Sequence, residues 1–342
     1  MKILITGGAG FIGSNLCKHF LNTHEVVCLD NFSTGFRHNI EPFLLNPSFQ
    51  LIEGDIRDIE TCRKAVKDAD FVLHQAALGI VPRSINDLII TNSVNINGFL
   101  NMLIAARDAG IKRFIYASLT SVYGDLKELP KFEDNIGNQL SPYAITKYVN
   151  ELYAQLFTDL FDMETIGLRY FNVYGERQNP NGPYAAVIPH WMNSLIKHER
   201  PIINGDGTYS RDFTCIDNVV HANELAMLTP TIDILERLNA GDHIPRITRV
   251  KVVLNVALGF RTTLNELFSI IRNGLASFDP LIASIEPIYS VQRNGDVPHS
   301  QASIEKIKMI LHYDPKFDLR KGLELTCKWY FENTKNFELH ET

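Results

Sequence analysis

The stretch TGGAGFIG, Thr6–Gly13, does most to limit what this chain can fold into. It follows the apolar run KILIT (2–6), opens a segment of helical period, and is succeeded by Asp30 at the end of a second apolar run, EVVCL (25–29). A bare glycine pattern says little, but one lying between a strand and a helix and answered by an acidic residue at the next strand end predicts a dinucleotide site. Gly7 then permits the tight turn, Gly10 lets backbone N–H groups approach a pyrophosphate at the helix N-terminus, and Gly13 allows helix and strand to pack closely. Asp30 would accept hydrogen bonds from ribose hydroxyls and repel a 2′-phosphate, so the expected cofactor is NAD and not NADP. Asp55, in GDIRD after a third run, FQLIEG (49–54), is placed to reach the adenine.

Further apolar runs at DFVLH (70–74), RFIYAS (113–118) and TIGLRYF (165–171) alternate with segments of helical period. Strands apolar on both faces and alternating with helices mean a parallel sheet covered on both sides. A helix from about Ile96 to Ala109 carries Ile96, Phe99, Leu100, Leu103 and Ala106 on one face and stops at Gly110. After Asn172 the elements shorten and Gly/Pro-rich turns such as NPNGPYAAVIP and INGDGTYSRDF appear. The expected fold is α/β: a Rossmann-type doubly wound parallel sheet over 1–171, with a smaller mixed α/β substrate lobe over 172–342, some of whose segments return to the first domain.

Composition narrows the function classes. The 342 residues are 45% hydrophobic and 21% charged, as in an ordinary soluble protein, and a net charge of −6 spread along the chain leaves no basic footprint for nucleic acid or an anionic membrane. Glycines interrupt the apolar N-terminus, and no membrane-spanning run of about twenty apolar residues is expected. Cys17, Cys28, Cys62, Cys215 and Cys327 are scattered without C-x-x-C spacing, which predicts reduced thiols in a cytoplasm and no metal centre.

The second chemical motif is SPYAITKYVNELY, in which Tyr143 and Lys147 stand four apart on an expected helix. That spacing puts both on one face, one turn apart. An ammonium beside a phenol favours the phenolate, so Tyr143 is a candidate general base with its pKa drawn below about 10.

Together with DNFS (30–33), HQAA (74–77), NSVNINGFLNML (92–103), LRYFNVYG (168–175) and RNGDVPHS (293–300), these motifs resemble the NAD-dependent nucleotide-sugar epimerases of the extended short-chain dehydrogenase/reductase family. The likeness covers nearly the whole chain. AALGIVPRSINDLIITN (76–92), NGPYAAVIP (181–189) and GDVPHS (295–300) are most similar to UDP-N-acetylglucosamine 4-epimerases of bacterial surface-polysaccharide pathways, including those that take uronic-acid forms. The resemblance implies that Lys147 also holds the nicotinamide ribose. It adds Phe11, Ile12, Asn31, Ile56, Gln75, Ala76, Ala77, Asn95 and Tyr170 to the cofactor pocket. On the substrate side it implies that Arg211 and Arg293 clamp a diphosphate, a task suited to planar forks of donors. Asn172 would contact the nucleotide sugar, and Gly79, Ile80, Arg83, Gln178, Ala186, Val187, Asn204, Asp296 and Ser300 would line its pocket. A small residue at Ser300 leaves space for an N-acetyl group that a bulky one would close by overpacking. Relatives form homodimers through the Tyr143 helix and the helix near 96–109. The helix stripe Ala144, Tyr148, Leu152, Leu156 and Leu160 suits that, though a monomer core explains it as well. The segment 228–255 reads as a surface insertion.

Two positions depart from the family pattern. Ile80 stands where the subgroup has Ser, which puts an apolar side chain beside the sugar. In ASLTSVYGD (117–125) the family's proton-relaying Ser or Thr is Leu119. Thr120, with Ser121, is the expected substitute, aimed into the site by a one-residue bulge at the strand end. The competing expectations are a homologue that binds nucleotide sugar with weakened or altered catalysis, or another UDP-sugar-modifying enzyme of the dehydrogenase/reductase fold. The acidic residues that dehydratases and decarboxylases of this fold place after the hydroxyl are replaced by Thr120 and Ser121, which argues against both. An NAD-sensing binding protein would be expected to lack the Tyr143–Lys147 pair.

Overall fold

The computed structural model describes residues 1–181, 185–240, 246–292 and 297–338. The six expected strands are present: β1 (Lys2–Thr6), β2 (Glu25–Asp30), β3 (Phe49–Glu53), β4 (Phe71–His74), β5 (Arg113–Leu119) and β6 (Glu164–Tyr170). Four short strands follow in the second lobe, β7 (Val173–Tyr174), β8 (Ile202–Asn204), β9 (Ser210–Arg211) and β10 (Thr214–Cys215), and then a long one, β11 (Lys251–Val256). The main sheet is parallel throughout, in the order β11-β6-β5-β4-β1-β2-β3. A strand from the second half of the chain, β11, therefore forms one edge of the main sheet. The remaining pairs are β10 on β7, β12 (Thr262–Thr263) on β9, and β13 (Ile288–Ser290) on β8.

Alternation along the strands divides the core. Ile3 and Ile5 of β1 and Ile115 of β5 face α1 (Phe11–Phe20) and the second lobe, whereas Leu4, Phe114 and Tyr116 face the opposite layer. That layer is built from α2 (Ile59–Ala65), α3 (Val81–Asn86), α4 (Leu88–Asn92), α5 (Phe99–Asp108) and α6 (Pro142–Phe161). The second lobe adds α7 (Val187–Ile196), α8 (Ile216–Leu228), α9 (Thr231–Leu238), α10 (Leu264–Ala276), α11 (Glu305–Leu311) and α12 (Leu319–Glu338), of which α8 packs against α1 and β5.

Three expectations need correction. The helix placed at about Ile96 starts earlier: α4 runs into a π-helical turn, Ser93–Gly98, and then into α5, with Gly110 at φ +72° beyond its end. This 21-residue stretch, Leu88–Asp108, contains an 18-residue window of mean hydropathy 1.3 and is long and apolar enough to cross a membrane, contrary to the sequence expectation. Its Phe99, Met102, Leu103, Ala105 and Ala106 are buried in the core, so packing accounts for the apolar character of α5, whereas Leu88, Ile89 and Ile90 of α4 are exposed. Finally, 228–255 is not merely a surface insertion. Arg113 donates to the Thr229 carbonyl at 2.6 Å, Thr231 donates to Glu164, and Ile234 of α9 is fully buried. A buried Arg113–Glu164 ion pair at 2.6 Å needs those extra acceptors and donors to offset its desolvation.

The strand order reverses between β1 and β4. The loops after β1, β4 and β5 therefore open together at the carboxyl edge, where doubly wound sheets bind ligands.

Candidate active site

Close packing explains the glycines after β1. Gly7 lies at φ +67°, and a Cβ there would stand 2.8 Å from the Ala76 nitrogen. A Cβ on Gly13 would stand 2.1 Å from the Gly7 carbonyl oxygen, whereas one on Gly10 would meet only that oxygen, at 3.2 Å. The loop is thus tight inside and approachable at Gly10. Asp30 accepts from the Ala9 N–H at 2.9 Å and the Phe32 N–H at 2.8 Å, leaving lone pairs for a ribose. Burial pushes its carboxyl above the ordinary value despite those bonds. Asn31 donates to Asp55 at 2.8 Å, and Arg57 holds the Asp55 carboxyl down at about 2. Phe11 and Ile12 are half-buried, while Ile56 is buried against Gly98. These residues fit an adenine dinucleotide: a cradle without Cβ atoms, a helix N-terminus, and an acceptor carboxylate at the next strand end.

After β4, Gln75, Ala76 and Ala77 are half-buried, and Gln75 accepts from the buried Tyr170 hydroxyl at 3.3 Å. Asn95 projects from the π-helical turn and grips Leu78, accepting from its N–H at 2.8 Å and donating to its carbonyl at 3.0 Å. It fixes the loop from behind. Ser84 of α3 was not anticipated; buried, it accepts from the Tyr143 N–H at 3.2 Å and so docks this loop on α6. Ile80 caps α3 at φ +81°, an expensive conformation for a β-branched residue, and Arg83 is half-buried behind it. A Cβ on Gly79 would lie 3.8 Å from the Tyr143 hydroxyl, which puts the phenol against the same loop.

Tyr143 and Lys147 share the inner face of α6, but their electrostatics differ from the sequence expectation. Lys147 is buried and donates to the Ala117 carbonyl at 2.9 Å. Burial lowers it to about 8, and burial raises the Tyr143 phenol above its ordinary value. Desolvation is the cause that acts on the phenol, which spacing along a helix does not reveal. One turn further along α6, Glu151 accepts from Ser118 at 2.6 Å and from two Arg169 nitrogens at 2.8 and 2.7 Å. The sequence signal for Glu151 was its place in the same four-residue series.

The strand end corrects another expectation. β5 pairs with β6 without interruption from Arg113 to Leu119, so no bulge is present. Instead the chain turns into a short 3-10 helix, Thr120–Tyr123. Ser118, bonded to Glu151, faces away from Leu119. Leu119, Thr120 and Ser121 are half-buried, and the Ser121 Oγ is buried without a partner.

On the second-lobe side, Asn172 at φ +34° donates to the Asp212 carbonyl at 2.9 Å. Arg211 donates to the Pro298 carbonyl at 3.0 Å, and Ser300, half-buried, is tied to Ser210 through its N–H. Gln178 donates to Val173 and keeps a buried, unpartnered oxygen. Ala186 and Val187 open α7, and Asn204 ends β8. Arg293 and Asp296 lie outside the described residues. Among the described residues no cluster suited to a metal occurs. Buried Asp212, unforeseen, accepts N–H bonds from Leu258, Gly259 and Ala302, and burial raises it to about 7.

Residues 3–241 match the model of the NAD dependent epimerase/dehydratase family. The chain is 35% identical over 336 residues to a putative UDP-glucose 4-epimerase of Methanocaldococcus jannaschii, covering 97% of this chain and 99% of the relative. Among solved structures it is similar to a UDP-N-acetylglucosamine 4-epimerase from Methanobrevibacter ruminantium M1 in complex with UDP-N-acetylmuramic acid, at 34% identity and a TM-score of 0.84, covering 97% of this chain and 98% of that one. A UDP-glucose 4-epimerase from Thermotoga maritima with UDP-glucose matches at the same identity and TM-score, covering 98% and 100%. With the glycine cradle, Asp30 and the Tyr143–Lys147 helix in one fold, these likenesses show that the chain belongs to the NAD-dependent epimerase/dehydratase family.

Proposed function

We propose that the chain is a UDP-sugar 4-epimerase that inverts C4 of a UDP-N-acetylhexosamine, the UDP-GlcNAc/UDP-GalNAc pair or the corresponding uronates. The observation that carries the reading is the Tyr143 phenol set against Gly79 at the carboxyl edge of the sheet, with Lys147 one turn behind it. Gly7, Gly10, Gly13 and Asp30 would hold NAD, which would supply a hydride acceptor and donor at C4. The residues do the rest. Tyr143 exchanges the O4 proton, and Lys147 provides the charge that makes its phenolate accessible. Arg211, with Arg293, anchors the diphosphate so that a 4-keto sugar can turn over while tethered. The half-buried Ser300 side chain leaves room for an N-acetyl group. NMR of products after incubation with UDP-GlcNAc and its uronate tests the reading, and absence of any C4 epimer from either pair sinks it.

Leu119 supports a second reading, binding with weakened turnover. The relay hydroxyl is gone, and Ser118 is committed to Glu151. We expect Thr120 to carry the relay, because the 3-10 turn redirects the chain there and its hydroxyl has no protein partner among the described hydrogen bonds. Thr120→Val then lowers kcat by about 10²-fold or more, the lower end of what proton transfer contributes. An unchanged kcat moves the role to Ser121 or solvent.

A homodimer is part of the proposal. Ala144, Ala154 and Phe157 of α6 are core, but Leu152, Leu156 and Leu160 are 48%, 46% and 63% exposed, and Leu88 and Ile89 of the adjoining α4 are 56% and 83% exposed. The apolar surface centres on α4 and α6, whereas Leu100 and Ile104 of α5 are half-buried. A second copy of this face would cover it. Leu156→Glu is expected to give a monomer by sedimentation velocity at micromolar concentration; a wild-type monomer removes the dimer from the proposal.

A further inference from the structure

We propose that Glu151 is a positioning residue for this reaction, a buried carboxylate that keeps Lys147 charged and ties that charge to the strand end carrying Thr120. The inference rests on reading Tyr143 and Lys147 as the proton-handling pair.

The geometry is a series on one helix face. Tyr143, Lys147 and Glu151 recur every four residues along α6, so their side chains line up over successive turns. The groups around the ammonium can be counted element by element. From β5 come the Ala117 carbonyl, which accepts its hydrogen bond, and Tyr116, a phenol that burial keeps neutral. From β4 comes His74, which burial lowers to about 3, so it is uncharged at neutral pH. On α6 itself stand Tyr143, also kept neutral by burial, and Glu151. From β6, Arg169 turns two nitrogens onto Glu151 and a third onto the Glu133 carbonyl, and its guanidinium lies 4.8 Å over the Tyr123 ring. Glu151 is therefore the one anion acting on Lys147 among the described residues, and it opposes the burial that lowers the lysine to about 8.

The third partner of Glu151 gives the arrangement its second function. Ser118 donates to it at 2.6 Å and immediately precedes Leu119 and Thr120. The carboxylate one turn beyond Lys147, whose charge favours the ammonium, thus also holds the end of β5, to which the ammonium itself is bonded through the Ala117 carbonyl.

The test uses the NAD-bound enzyme with lysine labelled at 13Cε, the Lys147 signal being assigned by its loss in Lys147→Met. In Glu151→Gln the acid dissociation constant of Lys147 is expected to rise about tenfold, one pH unit. The falling alkaline limb of kcat moves to lower pH with it, while KM changes less than about threefold. Glu151→Asp restores both towards wild type. Should Glu151→Gln fail to fold because Arg169 is left buried and unpaired, the Glu151→Gln/Arg169→Met double variant removes the orphan charge and is expected to show the same direction of shift. A Lys147 midpoint within twofold of wild type in whichever variant folds overturns the inference. Loss of the epimerase reading looks different: no wild-type product appears with any UDP-sugar, while the Lys147 midpoint still moves.

Discussion

Tyr143→Phe is expected to lower kcat by about 10² to 10⁴, the range that a positioned proton-transfer group contributes, while NAD content and the KM for the sugar nucleotide stay within a few-fold of wild type. The substitution removes one oxygen and keeps the ring, so packing against the Gly79 loop and the bond that the Tyr143 backbone N–H donates to Ser84 survive. The electrostatics sharpen the expectation. A phenol raised by burial stays protonated at neutral pH unless a charge offsets that burial, and Lys147 is charged only below about 8. Activity that depends on this charge falls as pH rises through that value, since the ammonium is then lost. Rates measured from pH 6 to 10, with single-turnover reduction of bound NAD followed at 340 nm, separate chemistry from release. Turnover in Tyr143→Phe equal to wild type would remove the phenol from the mechanism.

The two-sided apolar strands made the sheet legible, because a run such as KILIT reads the same whether or not the rest of the fold is known. The dinucleotide cradle was legible for a related reason: its chemistry is backbone, and glycine marks where the backbone must come close. What the sequence hid was third-party contact. Asn95 reads as a pocket residue, yet its amide is spent on Leu78 across 17 positions. Glu151 stands in the same four-residue series as Tyr143 and Lys147, but its partners Ser118 and Arg169 arrive from two different strands. The field between Tyr143 and Lys147 was misjudged because spacing on a helix gives proximity and says nothing of desolvation, which here sets both groups. The turn at Thr120 was misjudged because a bulge and a 3-10 turn both redirect a side chain, and only the unbroken register through Leu119 and Tyr170 distinguishes them.

Gly13→Ala should cost the chain its cofactor. Its Cβ would stand 2.1 Å from the Gly7 carbonyl oxygen and 2.7 Å from the Gly8 Cα, well inside contact distance, and those atoms are backbone, with no rotamer by which to yield. Either α1 must back away from β1 or the turn at Gly7 must open. Gly7 cannot open toward β4, where a single added carbon would already meet Ala76 at 2.8 Å. α1 must therefore move, and its N-terminus moves with it. That costs about 1–3 kcal/mol of overpacking and withdraws the N–H groups that would meet a pyrophosphate. NAD released on denaturing the purified variant, measured by chromatography, is expected to fall to less than about a tenth of wild type, an affinity loss of at least 1.4 kcal/mol. Thr6, Ala9 and Asp30 keep their own hydrogen bonds in this variant, so the sheet should survive and the circular dichroism spectrum stay native. A Gly13→Ala protein that still carries NAD at wild-type level would mean that the cofactor does not sit on this turn, and the assignment of Gly10 and Asp30 would fall with it.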